Sequence, residues 1–286
     1  MRQPAIFSPN RTLNFSGRLM DLSEPKVMGI LNVTPDSFFK GSRIAPENVL
    51  DVAERMLKEG VDVLDVGGYS SRPSASDVSM DEELKRAIPV VQAIKKVFPD
   101  SLVSIDTFRS EVAQRALDVG ADCVNDISAG SLDAKMFQVV ARAGAPYIMM
   151  HMRGTPQNMK QQTQYENLLK EITDYFHQKV FAARQAGIKD IVLDPGFGFA
   201  KTAQQNFQLL HHLKHFAMFE LPILAGISRK SMIWQTLNLE PEDALNGTTA
   251  LNMLTLMNGA NILRVHDVRE AKQCIALYQQ TYPSHT

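Results

Sequence analysis

Four polar residues in this chain close separate apolar runs: Asp106, Asn125, Asp194 and Lys230. Two carboxylates and a carboxamide facing one cavity can accept and donate along the edge of a flat heterocycle, and Lys230 adds donors and a positive charge. A second group is cationic: Arg72, Arg264 and His266. Arg264-Val265-His266 alternates as a strand does, so both polar side chains face the same side. Positive groups at one rim suit a phosphate or diphosphate. A third pair, Asn32 and Asp36, offers oxygen ligands without a cysteine or histidine cluster, a donor set suited to Mg²⁺ carried with substrate phosphates. Taken singly, each of these residues could be a helix cap, a turn former or an ion-pair partner. Their common position at the ends of runs is what argues for chemistry.

Two further segments could shape such a site. Ser228-Arg229-Lys230-Ser231 opens a helix, whose first N–H groups can receive an anionic group such as a carboxylate. Asp194-Pro195-Gly196-Phe197-Gly198-Phe199 is glycine-rich, with aromatics that could wall a flat ring; it matches neither a P-loop nor a Rossmann fingerprint. His211 and His215 are spaced i, i+4, but no second ligand cluster supports a zinc site.

The elements that must position these residues repeat eight times. Apolar runs end at Asn32, Gly67-Gly68, Asp106, Asn125-Asp126, His151, Asp194, Ser228 and Arg264. Helical periodicity fills the intervals: 46–59, 80–98, 110–119, 133–143, 165–186, 202–216, 241–257 and 268–278, several stopping at glycine. Eight β-then-α units predict an α/β fold of the (β/α)8 TIM-barrel type, with catalytic groups at the C-terminal strand ends. Residues 12–18, with Asn14-Phe15-Ser16-Gly17 as turn, predict an N-terminal β-hairpin capping the barrel bottom. Segments 33–45, 69–79 and 152–164 should be loops over the catalytic face.

Composition fits a single domain over 1–286. Hydrophobic content is 44%, charged content 21% and net charge −1, which gives no bulk argument for nucleic acid or membrane binding. The N-terminus lacks the apolar stretch of a signal peptide, and no run reaches the ~18 apolar residues of a membrane helix. Cys123 and Cys274 form no C-x-x-C motif and fit a reducing compartment, so a cytoplasmic protein is expected.

Eight blocks in order resemble the dihydropteroate synthases of the folate pathway: Met28 to Phe38; Asp65-Val66-Gly67-Gly68 with Ser71-Arg72-Pro73; Ser104 to Thr107; Val124 to Ile127; Met150-His151-Met152 with Gly154-Thr155-Pro156; Leu193 to Phe199; Ser228 to Ser231; and Arg264 to Asp267. The resemblance implies condensation of 6-hydroxymethyl-7,8-dihydropterin diphosphate with 4-aminobenzoate, with Mg²⁺ as cofactor. Asp106, Asn125, Asp194 and Lys230 would hold the pterin, Arg264 would stack over it, and Ile127 and Met150 would line its pocket. Asn32, Arg72, Arg264 and His266 would hold the diphosphate and its metal. Ser71, Arg72, Pro73, Phe199 and Ser231 would form the 4-aminobenzoate site, where sulfonamides compete in the family. Asp106, Lys230, Arg264 and His266 would carry catalysis, with pyrophosphate departing before the amine attacks. A homodimer is usual in the family.

The chain departs from the family at Tyr69 (usually Glu), Ser71 (Thr), Ser74 (Gly) and Phe39-Lys40-Gly41-Ser42 (Ser-Asp-Gly-Gly). Two other readings share the fold: a pterin-binding methyltransferase module, which has no use for a diphosphate grip, and a non-catalytic pterin-binding protein, which would tolerate loss of Asn32 and His266.

Overall fold

The computed structural model describes residues 12–33, 48–69 and 78–283. Its first elements are two antiparallel strands, β1 (Thr12–Phe15) and β2 (Arg18–Asp21). The turn between them is held by the Asn14 side chain, which accepts the Gly17 N–H at 2.6 Å. The hairpin buries Leu13 and Phe15 against the bottom of a barrel that begins at the following strand.

That barrel has eight parallel strands in the order β8-β7-β6-β5-β4-β3-β10-β9. The strands are β3 (Lys26–Asn32), β4 (Val63–Gly67), β5 (Val103–Asp106), β6 (Cys123–Asp126), β7 (Tyr147–Met150), β8 (Ile191–Asp194), β9 (Leu224–Ala225) and β10 (Ile262–Val265). A parallel bridge between Leu193 and Ile223 closes the seam, with Leu193 N–H on the Pro222 carbonyl at 2.9 Å. The helices are α1 (Val49–Lys58), α2 (Met80–Val97), α3 (Ser110–Asp118), α4 (Met136–Ala143), α5 (Leu168–Gln185), α6 (Ala203–His211), α7 (Ser231–Leu237), α8 (Leu245–Met257) and α9 (Val268–Thr281). The expected barrel and hairpin are both present.

Period-two alternation explains how short strands build two cores. Outward residues such as Val27, Leu31, Leu64, Ile105, Tyr147 and Leu263 join the helices in the main core. Inward residues at the strand starts, Met28, Val63, Leu102, Cys123, Ile148, Val192, Leu224 and Ile262, form an apolar plug with Leu13, Phe15 and Leu22 of the hairpin. The barrel is thus sealed below, and access to its interior lies at the C-terminal strand ends.

Side-chain caps move several helix boundaries. Ser79 caps α2 by accepting Glu82 N–H at 3.2 Å. Asp133, expected inside a helix, instead accepts the N–H groups of Ser110 (2.7 Å) and Lys135 (3.0 Å), so α4 starts at Met136. The expected helix 202–216 divides: α6 ends at His211, and a 3-10 helix covers Leu213–Phe219. His211 and His215 therefore do not share a helix, and His215 Nε2 lies 3.1 Å from Thr173 Oγ1. The seventh barrel strand, in the run that ends at Ser228, is only two residues long, because the Ile223 N–H goes to the Asn261 side chain at 2.9 Å rather than into the ladder.

Candidate functional site

Two residues further along each strand, above the apolar plug, the inward face changes character. There the alternation brings in Ile30, Asp65, Ser104, Asn125, Met150, Asp194 and Arg264. Asp65 and Ser104 are fully buried, and Asn125 and Asp194 nearly so. Burying polar groups is costly unless they are paired. Arg264 answers most of that cost: its Nε donates to Asp65 Oδ2 at 2.6 Å and its Nη2 to Asp106 Oδ2 at 2.6 Å. Asn125 Nδ2 donates to the same Asp65 oxygen at 3.0 Å. Among the described residues, Asp65 Oδ1 and Ser104 Oγ have no hydrogen-bond partner. This tier is therefore incompletely satisfied by the protein.

One more step up lies the rim, with Asn32, Asp106, Ile127, Ser228 and His266. Gly67 lies beside Asn32: a Cβ placed there would sit 3.2 Å from Asn32 Oδ1, so its absence leaves room around that carboxamide oxygen. His266 Nδ1 lies 3.0 Å from Ser228 Oγ, which also accepts the His266 N–H at 3.2 Å. Arg229 and Asp267, the residues next to these two, form a two-pronged ion pair at 2.9 Å per prong. The β9–α7 turn and the end of β10 are therefore braced together, and the turn presents Lys230 to the interior. Lys230 Nζ donates to the Phe197 carbonyl and sits 4.8 Å from the centre of the Phe199 ring. Ser231 begins α7 and is exposed.

The charges are tuned by this enclosure. Burial raises the Asp106 carboxyl to about 7 against the lowering pull of Arg264, with Asp65, Glu83 and Asp126 adding to the rise. Burial also raises Asp194, opposed by Lys230 and the Gly196 N–H, which it accepts at 2.8 Å. Lys230 is brought down to about 8 by burial and Arg264, against the pull of Asp194. Burial disfavours the Arg264 charge, but Asp65 and Asp106 outweigh it and hold the guanidinium protonated.

Ile127 and Met150 pack with Met152, Met159 and Ala200, and Phe108 and Phe199 lie against them. This apolar patch adjoins the polar tier through Met150. Tyr69, where the resemblance leads one to expect glutamate, is buried, accepts Gln157 Nε2 at 2.6 Å and meets the Phe108 ring edge-on at 5.0 Å. It thereby links the segments that follow β4, β5 and β7. Asp36, Ser71, Arg72, Pro73, Ser74 and residues 39–42 lie outside the described residues.

Two participants, Asp65 and Lys201, escape a reading based on strand ends. Asp65 lies inside an apolar run rather than after it; a carboxylate set between Leu64 and Val66, next to the end of the run at Gly67-Gly68, is the signal that could have found it. Lys201 and His151 are buried together, with Lys201 Nζ 3.0 Å from His151 Nδ1. His151 ends an apolar run, but nothing in the spacing of the chain announces its pairing with Lys201.

A family profile described as pterin binding enzyme matches residues 28–266, a span containing the polar tier and the rim from Asn32 to His266. The chain belongs to the dihydropteroate synthases. It is 42% identical over 270 residues to dihydropteroate synthase of Escherichia coli K12, covering 93% of this chain and 94% of that protein. It is 44% identical over 251 residues to the Synechocystis enzyme, covering 86% of each. Among solved structures, the Yersinia pestis dihydropteroate synthase in a sulfonamide drug complex superposes with a TM-score of 0.90 at 41% identity, covering 94% of this chain and 98% of that one. The Xanthomonas albilineans enzyme with 4-aminobenzoic acid gives a TM-score of 0.88 at 36% identity, covering 98% and 100%. The chain is thus an enzyme of folate biosynthesis. No helix among the described residues is long and apolar enough to cross a membrane.

Proposed function

We propose that the buried polar tier receives the pterin of 6-hydroxymethyl-7,8-dihydropterin diphosphate and that the rim directs its diphosphate. The observation that carries this reading is the Arg264 clamp on Asp65 and Asp106, set beside Asp65 Oδ1 and Ser104 Oγ, which have no partner among the described residues. A heterocycle with alternating donors and acceptors along its edge would complete a tier that the protein leaves unfinished. Asn125, Asp194 and Lys230 would bind that edge, Arg264 would lie over the ring, and Ile127 and Met150 would supply the apolar wall. His266 and Arg264, joined by Arg72, would hold the diphosphate. Phe199, Ser231, Ser71, Arg72 and Pro73 would receive 4-aminobenzoate, and sulfonamides would compete there.

Mg²⁺ fits as an ion shared with the substrate. Asn32 offers one carboxamide oxygen beside the open space at Gly67, and no cluster of three or more acidic, histidine or cysteine residues exists among the described residues. One protein oxygen plus phosphate oxygens is a normal Mg²⁺ environment. Bound there, the ion would neutralise charge on the departing pyrophosphate.

In the proposed reaction the bond from the methylene carbon to the diphosphate oxygen breaks, and its electron pair leaves with pyrophosphate. Arg264 and His266 stabilise that charge, while ionised Asp106 stabilises the cation left on the pterin. The lone pair of the 4-aminobenzoate nitrogen then forms the new C–N bond from the Phe199 side. The nitrogen loses its proton after attack, so no strong base is required. The test is pyrophosphate release from the pterin diphosphate with Mg²⁺, with and without 4-aminobenzoate. Release that depends on 4-aminobenzoate and yields 7,8-dihydropteroate supports the reading; pterin binding with no release in either case overturns it.

We also infer a homodimer. Leu237, Leu239, Leu254, Met257 and Leu277 are exposed on or beside α7, α8 and α9, and apolar side chains grouped in this way suit a self-contact. Light scattering would report twice the 31.9 kDa chain mass. Two buried, unpaired thiols suit work in the cytoplasm.

A further inference from the structure

The loop after β8, residues 195–200, carries Phe197 and Phe199 past the mouth of the barrel, and the next residue is a buried lysine with no role in the chemistry above. Lys201 Nζ donates to the Gly196 carbonyl at 2.9 Å and to the Phe199 carbonyl at 3.0 Å, and it meets His151 Nδ1 at 3.0 Å. An ammonium has three donors and no acceptor, so His151 must offer its Nδ1 lone pair. Burial, with Lys201 and Arg153 nearby, drives the His151 pKa well below its ordinary value and keeps that ring neutral. Three acceptors therefore meet three N–H groups.

We infer that Lys201 is a positioning residue for the 4-aminobenzoate site: it ties the start and the end of the 195–200 loop to His151, just past β7, and so fixes the Phe199 ring beneath Lys230. The inference rests on the reading of Phe199 as part of that site. Burying an ammonium without a carboxylate in contact is expensive, and burial brings Lys201 down to about 7, with Asp194 favouring its charge and Lys230 and Arg153 opposing it. A methionine would fill the same volume without that cost, so the lysine does something packing alone does not require.

The rest of the loop has its own anchors, which limits what Lys201 governs. Gly198 N–H goes to Asn206 Oδ1 at 2.7 Å, and the Ala200 carbonyl accepts Tyr165 OH at 3.0 Å. Loss of Lys201 should therefore release Phe199 locally and leave Asn125 and Asp194 in place.

The test is steady-state kinetics on Lys201→Met, Phe199→Ala and the double variant. Lys201→Met should raise KM for 4-aminobenzoate at least tenfold while kcat and KM for the pterin diphosphate stay within threefold. The double variant should be no worse than Phe199→Ala alone, because one residue acts through the other. Equal losses for both substrates, or losses that multiply in the double variant, would overturn the inference. If Phe199→Ala itself leaves KM for 4-aminobenzoate unchanged, the reading of Phe199 fails, and the inference with it. Should Lys201→Met not fold, Lys201→Gln, which keeps two donors, should show the same one-sided rise in smaller measure; an unchanged KM in that variant would overturn the inference equally.

Discussion

Arg264 and Asp106 stand 158 residues apart in the chain and meet at 2.6 Å inside the barrel. Asp65 takes the Nε of the same guanidinium at 2.6 Å. One cation therefore balances two carboxylates beside the rim proposed to take the diphosphate, so its structural duty and its proposed catalytic one can be separated by mutation.

Replacing Arg264 with Gln should lower kcat roughly 100-fold, the size expected when a group that stabilises leaving-group charge is lost. It should also destabilise the fold by about 3 kcal/mol, because Asp65 would be left as an uncompensated buried charge. Adding Asp65→Asn should restore most of the stability and little of the rate. Denaturant melts alongside turnover measurements separate the two effects.

Asp106 controls an acid limb. Its carboxyl is raised from 3.8 to about 7, so the folded state binds a proton more tightly than the unfolded chain. That contribution to stability is full below 3.8 and is lost as pH rises through about 7. Asp106→Asn should remove this loss, so its melting temperature should gain on the parent between those values. If, as proposed, ionised Asp106 stabilises the pterin cation, kcat/KM in the parent should rise through about pH 7, and the variant should lose that limb along with roughly 100-fold in rate. Unchanged turnover in Asp106→Asn would remove it from the mechanism.

Lys230 controls the alkaline limb. Its ammonium is lowered to about 8, so the charge proposed to hold the pterin edge disappears above that value. The pH profile of kcat/KM for the pterin diphosphate should fall beyond about pH 8, and Lys230→Met should abolish the fall while lowering the plateau.

Gly196 admits no side chain. Its φ is +74°, and an added Cβ would lie 2.0 Å from the His151 carbonyl oxygen. Gly196→Ala should cost at least ~2 kcal/mol, since strained backbone and a backbone clash combine. Gly144 also has a positive φ, +63°, but among the described residues nothing lies within 4 Å of its Cβ position, so Gly144→Ala should cost only about 1 kcal/mol. Chemical denaturation of the two variants reads the difference.

Asn32→Ala should raise the Mg²⁺ concentration needed for half-maximal turnover about tenfold, the lower end of the effect of weakening a metal's surroundings. Binding of pterin lacking the diphosphate should be unaffected. A Mg²⁺ dependence identical to the parent would remove Asn32 from the metal's environment.

The residues that could be found in the sequence are those that interrupt a pattern. Asp106, Asn125 and Asp194 end apolar runs, and the end of a barrel strand is where catalytic groups collect. The hairpin was equally plain, because Asn14 and Gly17 supply turn chemistry. Asp65 was hidden because it sits within a run, where alternation, not termination, decides its direction. Tyr69 was visible as a departure, but its contacts with Gln157 and Phe108 join segments far apart in the chain.

The amino-acid order alone settled the alternation of strand and helix, the strand ends that hold the polar residues, and the caps that begin helices such as α2. These follow from local forces: side-chain periodicity, turn chemistry and short-range hydrogen bonds. The closed barrel decided the rest. It determined that Arg264 would serve both Asp65 and Asp106, that Lys201 would meet His151, and that Asp106 and Lys230 would titrate near 7 and 8. Those outcomes depend on desolvation and on charges brought together across the fold, and neither quantity exists until the chain has closed on itself.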